Sequence, residues 1–326
     1  MVHAVQHALL AAGSRVTRNE AMIKTNPSAD NNNKNSNNDE AEYMEIISNL
    51  TSCLLENGYP IHGTDTDDNT YESVDEMWRV QGIAPVKNGA ASGSSSWYKS
   101  ALHYWDDSIT TIDGMLGGFA AISPTDLDGS RAFLTQVVKD HRPRLRLDRC
   151  CDVGAGIGRV TKGFLLSFGF KQCDMVEASS RQLEVAPTFV GEEYVSQCRF
   201  FCSGLQDWIP PKTNCYDLIW IQWVISYLTD VDCVRFLRRC TDALREGDDC
   251  DTASSGIICF KENTCDDKAF VVDNDDSSLT RSTPYLINLA EQAGLDVIHI
   301  EYQNGFPKEL FAVPMIAFEK RRQKKL

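Results

Sequence analysis

The stretch Asp152-Val153-Gly154-Ala155-Gly156-Ile157-Gly158-Arg159 decides the fold. Residues 145–153 read as a β-strand that ends in it, and residues 159–168 continue from it as a helix. Glycines between a strand and a helix let the backbone approach a ligand closely. The first turn of the helix offers free N–H groups to the same space. A dinucleotide-binding loop reads GxGxxG, which would put its last glycine at Arg159. Here the third glycine stands one residue early, at Gly158, so the pyrophosphate cradle of a dehydrogenase is disfavoured. The bland alternative is a tight turn with no ligand.

Working outward, residues 172–176 (QCDMV) form a second strand with Glu177 just past its end. Residues 181–189 read as a helix with Pro187 near its end. Residues 198–202 (CRFFC) and 216–220 (YDLIW) are the third and fourth strands. Thr229 and Asp232 give a capping-box-like helix start, and Cys233, Leu237, Cys240 and Leu244 line one face beyond it. Residues 256–261 (GIICFK) are a fifth strand. Thr283-Pro284 opens the next helix and Gly294 follows its end. Residues 295–301 and 311–318 are joined too closely for a helical crossover, so they pair antiparallel. Strands alternating with helices imply a doubly wound α/β sheet. Seven mostly parallel strands closing in an antiparallel hairpin are the pattern of class I (Rossmann-like) methyltransferases.

Three signals, in order along the chain, point to an adenosyl ligand. The GxGxG loop, with Gly154, Ala155 and Gly156 at its centre, looks like the loop that holds S-adenosyl-L-methionine. Glu177, ending the second strand, can accept hydrogen bonds from both ribose hydroxyls. Dehydrogenases share that geometry, so Glu177 supports a nucleoside without choosing a reaction. Gly204-Leu205-Gln206-Asp207 follows the third strand, where methyltransferases hold adenine, although on the residues alone it reads equally well as a generic turn. Arg159 is placed to pair with the methionyl carboxylate. The expected cofactor is S-adenosyl-L-methionine, with S-adenosyl-L-homocysteine as product.

Ile219-Trp220-Ile221-Gln222-Trp223-Val224-Ile225 sets two tryptophans and a glutamine where the fourth strand exits. Open α/β sheets bind ligands at these carboxyl ends, although both tryptophans read equally well as core. The NPPY-like tetrapeptide of many amino methyltransferases is missing, which disfavours amide, adenine or glutamine methylation in that style.

With these residues in view, the chain resembles the α-N-terminal protein methyltransferases, which recognise Xaa-Pro-Lys at the start of a protein. The matching segments are Tyr104-Trp105, residues 112–118 (IDGMLGG), 152–159, 204–207, 219–225 (IWIQWVI), 236–240 (FLRRC), Lys261-Glu262-Asn263 and 273–278. The likeness runs from about Tyr98 to Glu319, and its most specific parts are DGMLGG and IWIQWVI. It implies a cofactor contact at Gln222 and a peptide channel. Tyr104 and Trp105 line that channel, and Trp105 and Trp223 sandwich the second-position proline. Asn263 bonds the peptide backbone. Asp273 and Asp276 meet the third-position lysine or the incoming amine, with Asp276 as proton acceptor. Leu310 and Phe311 belong to the channel wall. Two positions depart from the family. Tyr227 stands where the family carries a histidine, and a phenol with a pKa near 10 is a weaker base, though able to orient the amine. Phe311 stands where the family has a tyrosine, so one hydrogen bond to the substrate is lost. Product multiplicity and sequence preference are therefore open. Without the resemblance, residues 273–276 read as a solvated loop, or as an acidic cluster lacking EF-hand spacing.

The 326-residue chain has a formal net charge of -14. Such a surface binds phosphate poorly and suits a cationic partner, so direct nucleic-acid binding is not expected. The plainer reading is that the charge aids solubility. Its 12 cysteines contain no CxxC, and Cys173 and Cys259 sit in apolar strand-like runs as small hydrophobes, so no metal is expected. No secretory signal or membrane-spanning run is visible, and a cytosolic or nuclear monomer with reduced thiols is expected. Residues 1–96 read as an extension to a methyltransferase domain at 97–326. Residues 1–18 carry Arg15 and Arg18 with no acid, as transit peptides do, but a tail without a targeting role is preferred. Residues 31–39 (NNNKNSNND) cannot bury a core. Residues 42–55, with Ile46, Ile47, Leu50 and Leu54 at helical spacing, suit a docked helix. Residues 88–96 (NGAASGSSS) read as a flexible linker and 246–255 as an acidic surface loop. The rivals are a class I methyltransferase with a small-molecule or other protein substrate, and a cofactor-binding pseudoenzyme.

Overall fold

The computed structural model describes residues 24–25, 36–83, 94–247 and 252–322. The expected tail at 1–18, most of the linker at 88–96 and the middle of the 246–255 loop lie outside them. In chain order the elements begin with β1 (Lys24–Thr25), α1 (Ser36–Glu56), β2 (Gly63–Asp65), β3 (Thr70–Tyr71) and α2 (Val74–Val80). Helices α3 (Ser94–Asp107), α4 (Ile112–Met115) and α5 (Ser123–His141) precede β4 (Arg149–Val153). Then come β5 (Gln172–Glu177), α6 (Ser180–Val190), β6 (Cys198–Cys202), β7 (Leu218–Gln222), α7 (Asp230–Ala243) and β8 (Ile257–Lys261). A hairpin of β9 (Phe270–Asp273) and β10 (Ser278–Arg281) leads to α8 (Thr283–Gln292), β11 (Leu295–Tyr302) and β12 (Pro314–Lys320).

The main sheet has the order β1-β6-β5-β4-β7-β8-β12-β11. Its seven principal strands are the expected ones, and β12 runs antiparallel to both β8 and β11. The eighth is β1, which pairs parallel with β6. All five residues of β7 (LIWIQ) and of β8 (IICFK) are buried. Such continuous apolar strands need helices on both faces, which is the condition for a parallel sheet. Residues 159–168 are helical as expected, with a π-helical stretch at Thr161–Leu166 directly after the glycine loop. The fourth strand sits two residues later than the spacing suggested, because Tyr216 pairs as an isolated bridge with Leu244. The connection from β6 to β7 is a loop rather than a helix.

Helix caps follow their sequence signals. Thr229 Oγ1 accepts the Asp232 N–H at the start of α7, 3.2 Å away. Pro284 lies in the first turn of α8, and Gly294 beyond its end has φ 83°. Cys173 and Cys259 are fully buried, as small hydrophobes should be.

Residues 36–83 are built into the same core. Ile46, Ile47, Leu50 and Leu54 of α1 are buried against α8 and α7. Arg235 and Arg238 of α7 each reach Glu42 of α1 at 2.7 Å. The last four residues of the polar run at 31–39 open α1. A second sheet, β10-β9-β2-β3, joins this segment to the β9–β10 hairpin. Sequence periodicity did not announce it, because β2 and β3 are too short to show a pattern.

Candidate active site

In the strand order, β4 has β5 on one side and β7 on the other, so the direction of winding reverses there. Ligands bind outside the carboxyl ends of strands at such a switch point. A cavity of about 820 Å³ lies there, and α3 contributes Tyr98, Ala101, Leu102 and Trp105 to its wall.

The glycine loop forms one side. Gly154, Gly156 and Gly158 have φ of 71°, 53° and 92°. A Cβ on Gly154 would lie 2.6 Å from Val224 Cβ, and one on Gly156 2.8 Å from Met115 Sδ, so both positions demand glycine. The Gly154 and Ala155 N–H groups donate to Val176 O at 2.9 and 3.0 Å, folding the loop onto β5. The Glu177 carboxylate is aimed by backbone: Oε2 accepts Gly156 N and Oε1 accepts Ser179 N, both at 2.9 Å. Each oxygen keeps a further lone pair for a ribose hydroxyl. Burial raises the Glu177 pKa, against the N–H groups of Ser179 and Gly156 that favour its charge. Opposite, Arg239 Nη2 holds the carbonyls of Leu205 and Gln206 at 2.8 and 3.1 Å, which shapes the loop after β6.

A buried carboxylate that sequence reasoning missed ties this side together. Asp126 of α5 is fully buried. Its Oδ2 lies 2.7 Å from Arg159 Nη1, and its Oδ1 lies 2.6 Å from Lys261 Nζ. Gln222 Nε2 donates to both oxygens at 2.9 and 3.0 Å, while Gln222 Oε1 accepts the Trp220 indole N–H at 2.9 Å. Arg159 and Gln222, both expected at the cofactor, are thus oriented by one acid between two cations. Burial lowers the Lys261 pKa to about 8, against the attraction of Asp126. The one hint in the sequence was a lysine closing the otherwise apolar strand IICFK.

The acceptor side begins where β7 ends. Trp223 takes φ 52°, in the left-handed region that non-glycine residues avoid. Its ring borders the cavity, and the Arg159 guanidinium lies 5.7 Å from the ring centre. Its indole Nε1 is buried with no hydrogen-bond partner. Glu262, another group missed in the sequence, holds the turn after Trp223: Oε2 accepts Ile225 N at 3.2 Å and Oε1 accepts Asn263 N at 3.0 Å. Burial pushes the Glu262 pKa up to about 7. Arg281 donates to the carbonyls of Ile225 and Leu228 at 3.3 and 2.6 Å, and Trp97 Nε1 donates to Tyr227 O at 2.8 Å.

That turn presents Tyr227. Its hydroxyl donates to Asp276 Oδ2 at 3.0 Å, and its ring meets Trp105 edge-on at 6.1 Å. Burial, with the nearby Asp276 charge, raises the Tyr227 pKa well above 10, so the phenol stays a donor and does not serve as a base. Asp276 Oδ1 is buried with no hydrogen-bond partner. Burial pushes the Asp276 pKa up to about 6; Asp273 adds to the rise, while Ser278 and Tyr227 oppose it.

All nine expected cofactor residues line the one cavity, together with Trp105, Trp223 and Tyr227. Asp276 stands behind Tyr227. Tyr104, Asn263, Asp273, Leu310 and Phe311 do not line it. Tyr104 packs edge-on against Trp105, and Asn263 follows Glu262 at the end of β8. Asp273 Oδ1 accepts the Asp275 N–H in the hairpin turn. Phe311 is 46% exposed. Phe306, from the loop before β12, was not foreseen and lies 6.4 Å from the Trp223 ring.

A family model described as AdoMet dependent proline di-methyltransferase matches residues 93–319. The alpha N-terminal protein methyltransferase 1 of Dictyostelium discoideum is 40% identical over 263 residues, covering 79% of this chain and 91% of that protein. The N-terminal Xaa-Pro-Lys N-methyltransferase 1 of Danio rerio is 40% identical over 223 residues, covering 68% and 95%. A solved structure from Leishmania major, described as a SAM-dependent methyltransferase, superposes with a TM-score of 0.68 at 35% identity, covering 80% and 97%. The glycine cradle, the aimed Glu177 and the oriented Arg159 suit the cofactor these proteins use. This chain belongs to the AdoMet-dependent proline di-methyltransferase family and is an S-adenosyl-L-methionine-dependent methyltransferase.

Proposed function

We propose that the protein methylates the free α-amino group of proteins that begin Xaa-Pro-Lys. The observation that carries this reading is the Tyr227–Asp276 pair beside Trp105 and Trp223. There a buried carboxylate oxygen has no partner, behind the Tyr227 hydroxyl and the aromatic wall of the cavity. An unpaired acceptor in that setting is completed by a cationic or N–H-bearing group. A flat pyrrolidine ring suits the aromatic walls.

S-adenosyl-L-methionine, held by the glycine loop, Glu177, the 204–206 loop, Gln222 and Arg159, supplies an electrophilic methyl group on a sulfonium. The chain's own residues then have two tasks. They must place the nitrogen in line, and they must remove its proton, because only a neutral amine has a lone pair. A free α-amino group has a pKa near 8, so a minority is neutral at neutral pH. Asp276, ionised above about pH 6, accepts the proton and aims the nitrogen. The Tyr227 hydroxyl fixes that carboxylate. Trp105 and Trp223 hold the second residue, and Asp273 attracts the third-position lysine.

The test is mass spectrometry of two peptides incubated with enzyme and S-adenosyl-L-methionine. One begins Ser-Pro-Lys with a free amine, and its twin is N-acetylated. Methyl-sized gains on the free peptide alone are expected, and their number reports how many transfers Tyr227 permits. No gain on either peptide, with cofactor binding intact, would leave a small-molecule or other protein substrate in its place.

A further inference from the structure

Asp273 ends β9 and Asp276 lies in the turn to β10, and that turn is gripped by a segment outside residues 93–319, which the family model matches. Strand β2 pairs parallel with β9, Gly63 opposite Phe270 and Asp65 opposite Val272. A Cβ on Gly63 would come within 2.3 Å of the Phe270 ring, so glycine is needed for this approach. The ladder continues past the strand: Thr66 N donates to Val272 O at 3.0 Å, and Asn274 N donates to Thr66 Oγ1 at 3.1 Å.

The Asn274 side chain is then fully engaged by the same segment. Its Nδ2 donates to Asp65 Oδ2 at 3.1 Å and to Asp67 Oδ2 at 2.8 Å. Its Oδ1 accepts Gln81 Nε2 at 3.3 Å. Asp65 is itself a buried hub, bonded by Asn69 and by the Tyr71 hydroxyl at 2.7 Å. Burial works against its charge, yet these donors hold the Asp65 carboxyl well below the usual range. Asn274 is two residues before Asp276, and Ser277, directly after Asp276, stands at φ 55°. A left-handed non-glycine residue carries strain that contacts from outside the turn help to hold.

We infer that the segment 62–81 is a brace for the acceptor site, and that Asn274 is a positioning residue that sets the Asp276 carboxylate through its clamp on Asp65 and Asp67. This rests on the reading of Asp276 given above. The brace acts on turnover, not on cofactor binding, since none of its residues lines the cofactor cavity.

Asn274 and Asp67 are both exposed, so replacing them should leave the fold intact. The experiment measures steady-state methylation of the Ser-Pro-Lys peptide, S-adenosyl-L-methionine affinity and melting temperature. The full-length variants are Asn274→Ala, Asp67→Ala, Asp67→Asn and Asp276→Asn. Losing a hydrogen bond to a charged group at the clamp should lower kcat about tenfold in Asn274→Ala and Asp67→Ala. Cofactor affinity and melting temperature should stay unchanged. Asp67→Asn keeps an acceptor oxygen for Asn274 and should restore near-native kcat. If Asn274→Ala and Asp67→Ala turn over normally while Asp276→Asn does not, the brace is wrong and the acceptor reading stands. If Asp67→Asn falls as far as Asp67→Ala, charge and not clamping is at work, and the inference fails. Normal turnover in Asp276→Asn would remove the acceptor reading and the brace together.

Discussion

The cofactor side and the acceptor side of this cavity are built in opposite ways. On the cofactor side the left-handed positions are glycines, and the loop N–H groups of Gly154, Ala155 and Gly156 all have carbonyl or carboxylate partners within 3.0 Å. On the acceptor side Trp223 and Ser277 occupy left-handed backbone without being glycine. Trp223 Nε1 and Asp276 Oδ1 are buried without partners. Each buried unpaired polar group costs about 1–3 kcal/mol, and each such backbone position costs a similar amount. One half is complete before any ligand arrives, whereas the other holds unspent bonding capacity against a scaffold that forbids it to relax. That scaffold is the Arg281–Asp230 pair, Glu262, Trp97 and the 62–81 segment.

If the difference is real, damage to the two halves should separate in the measurements. Glu177→Ala should have the largest effect, because it removes both ribose contacts and the acceptor of the Gly156 N–H. Calorimetry should show cofactor affinity falling about a hundredfold or more, with methylation lost alongside it. Asp276→Asn should lower turnover about a hundredfold while cofactor affinity is kept. Equal loss of cofactor binding in this variant would show that the halves are not separate. The same variant should be more stable at pH 7.5. The native carboxyl has its pKa raised from 3.8 to about 6, so its ionised form burdens the fold above pH 6. The burden vanishes below pH 3.8, where both states are protonated, and melting curves at pH 7.5 and 3.5 should therefore differ in this respect.

Tyr227→Phe is a finer probe. Activity needs ionised Asp276, so it should fall as pH drops through about 6 in the native protein. Removing the phenol hydrogen bond, which favours the ionised form, should move that limb to higher pH and lower turnover about tenfold at pH 7. A limb that stays in place would detach Tyr227 from Asp276. The smallest functional effect is expected from Trp78→Phe in α2. Trp78 Nε1 donates to Asp230 Oδ2 at 2.6 Å, and Trp78 neither lines the cavity nor touches the Asn274 clamp. Its loss should cost about 2 kcal/mol in chemical denaturation with little change in turnover per folded molecule.

What could be read from the chain beforehand follows the same division. The glycine loop, Glu177 and the 204–206 turn each lie within a few residues of a strand end, and their chemistry is local. The strands themselves were readable because β7 and β8 are apolar up to their last residues, Gln222 and Lys261. Resemblance placed Asp273 and Asp276 at the substrate, but the β9–β10 hairpin itself was not foreseen, since β2, which pairs with β9, is three residues long and β3 only two. Asp126 is 33 residues from Arg159 and 135 from Lys261, and no spacing rule links such positions. Tyr227 was placed by resemblance, but its bond to Asp276 spans 49 residues and became visible only in three dimensions.

Residue types within one turn of the backbone therefore determined the sheet, the cofactor and the place where it binds. Tertiary structure alone decided which buried charges meet, how the acceptor acids are held, and that an upstream segment grips them. The physical reason is range. Dihedral preference, capping and alternation act over a handful of residues, whereas the pairing of buried polar groups is settled by whichever distant segments the closed core brings within 3 Å of each other.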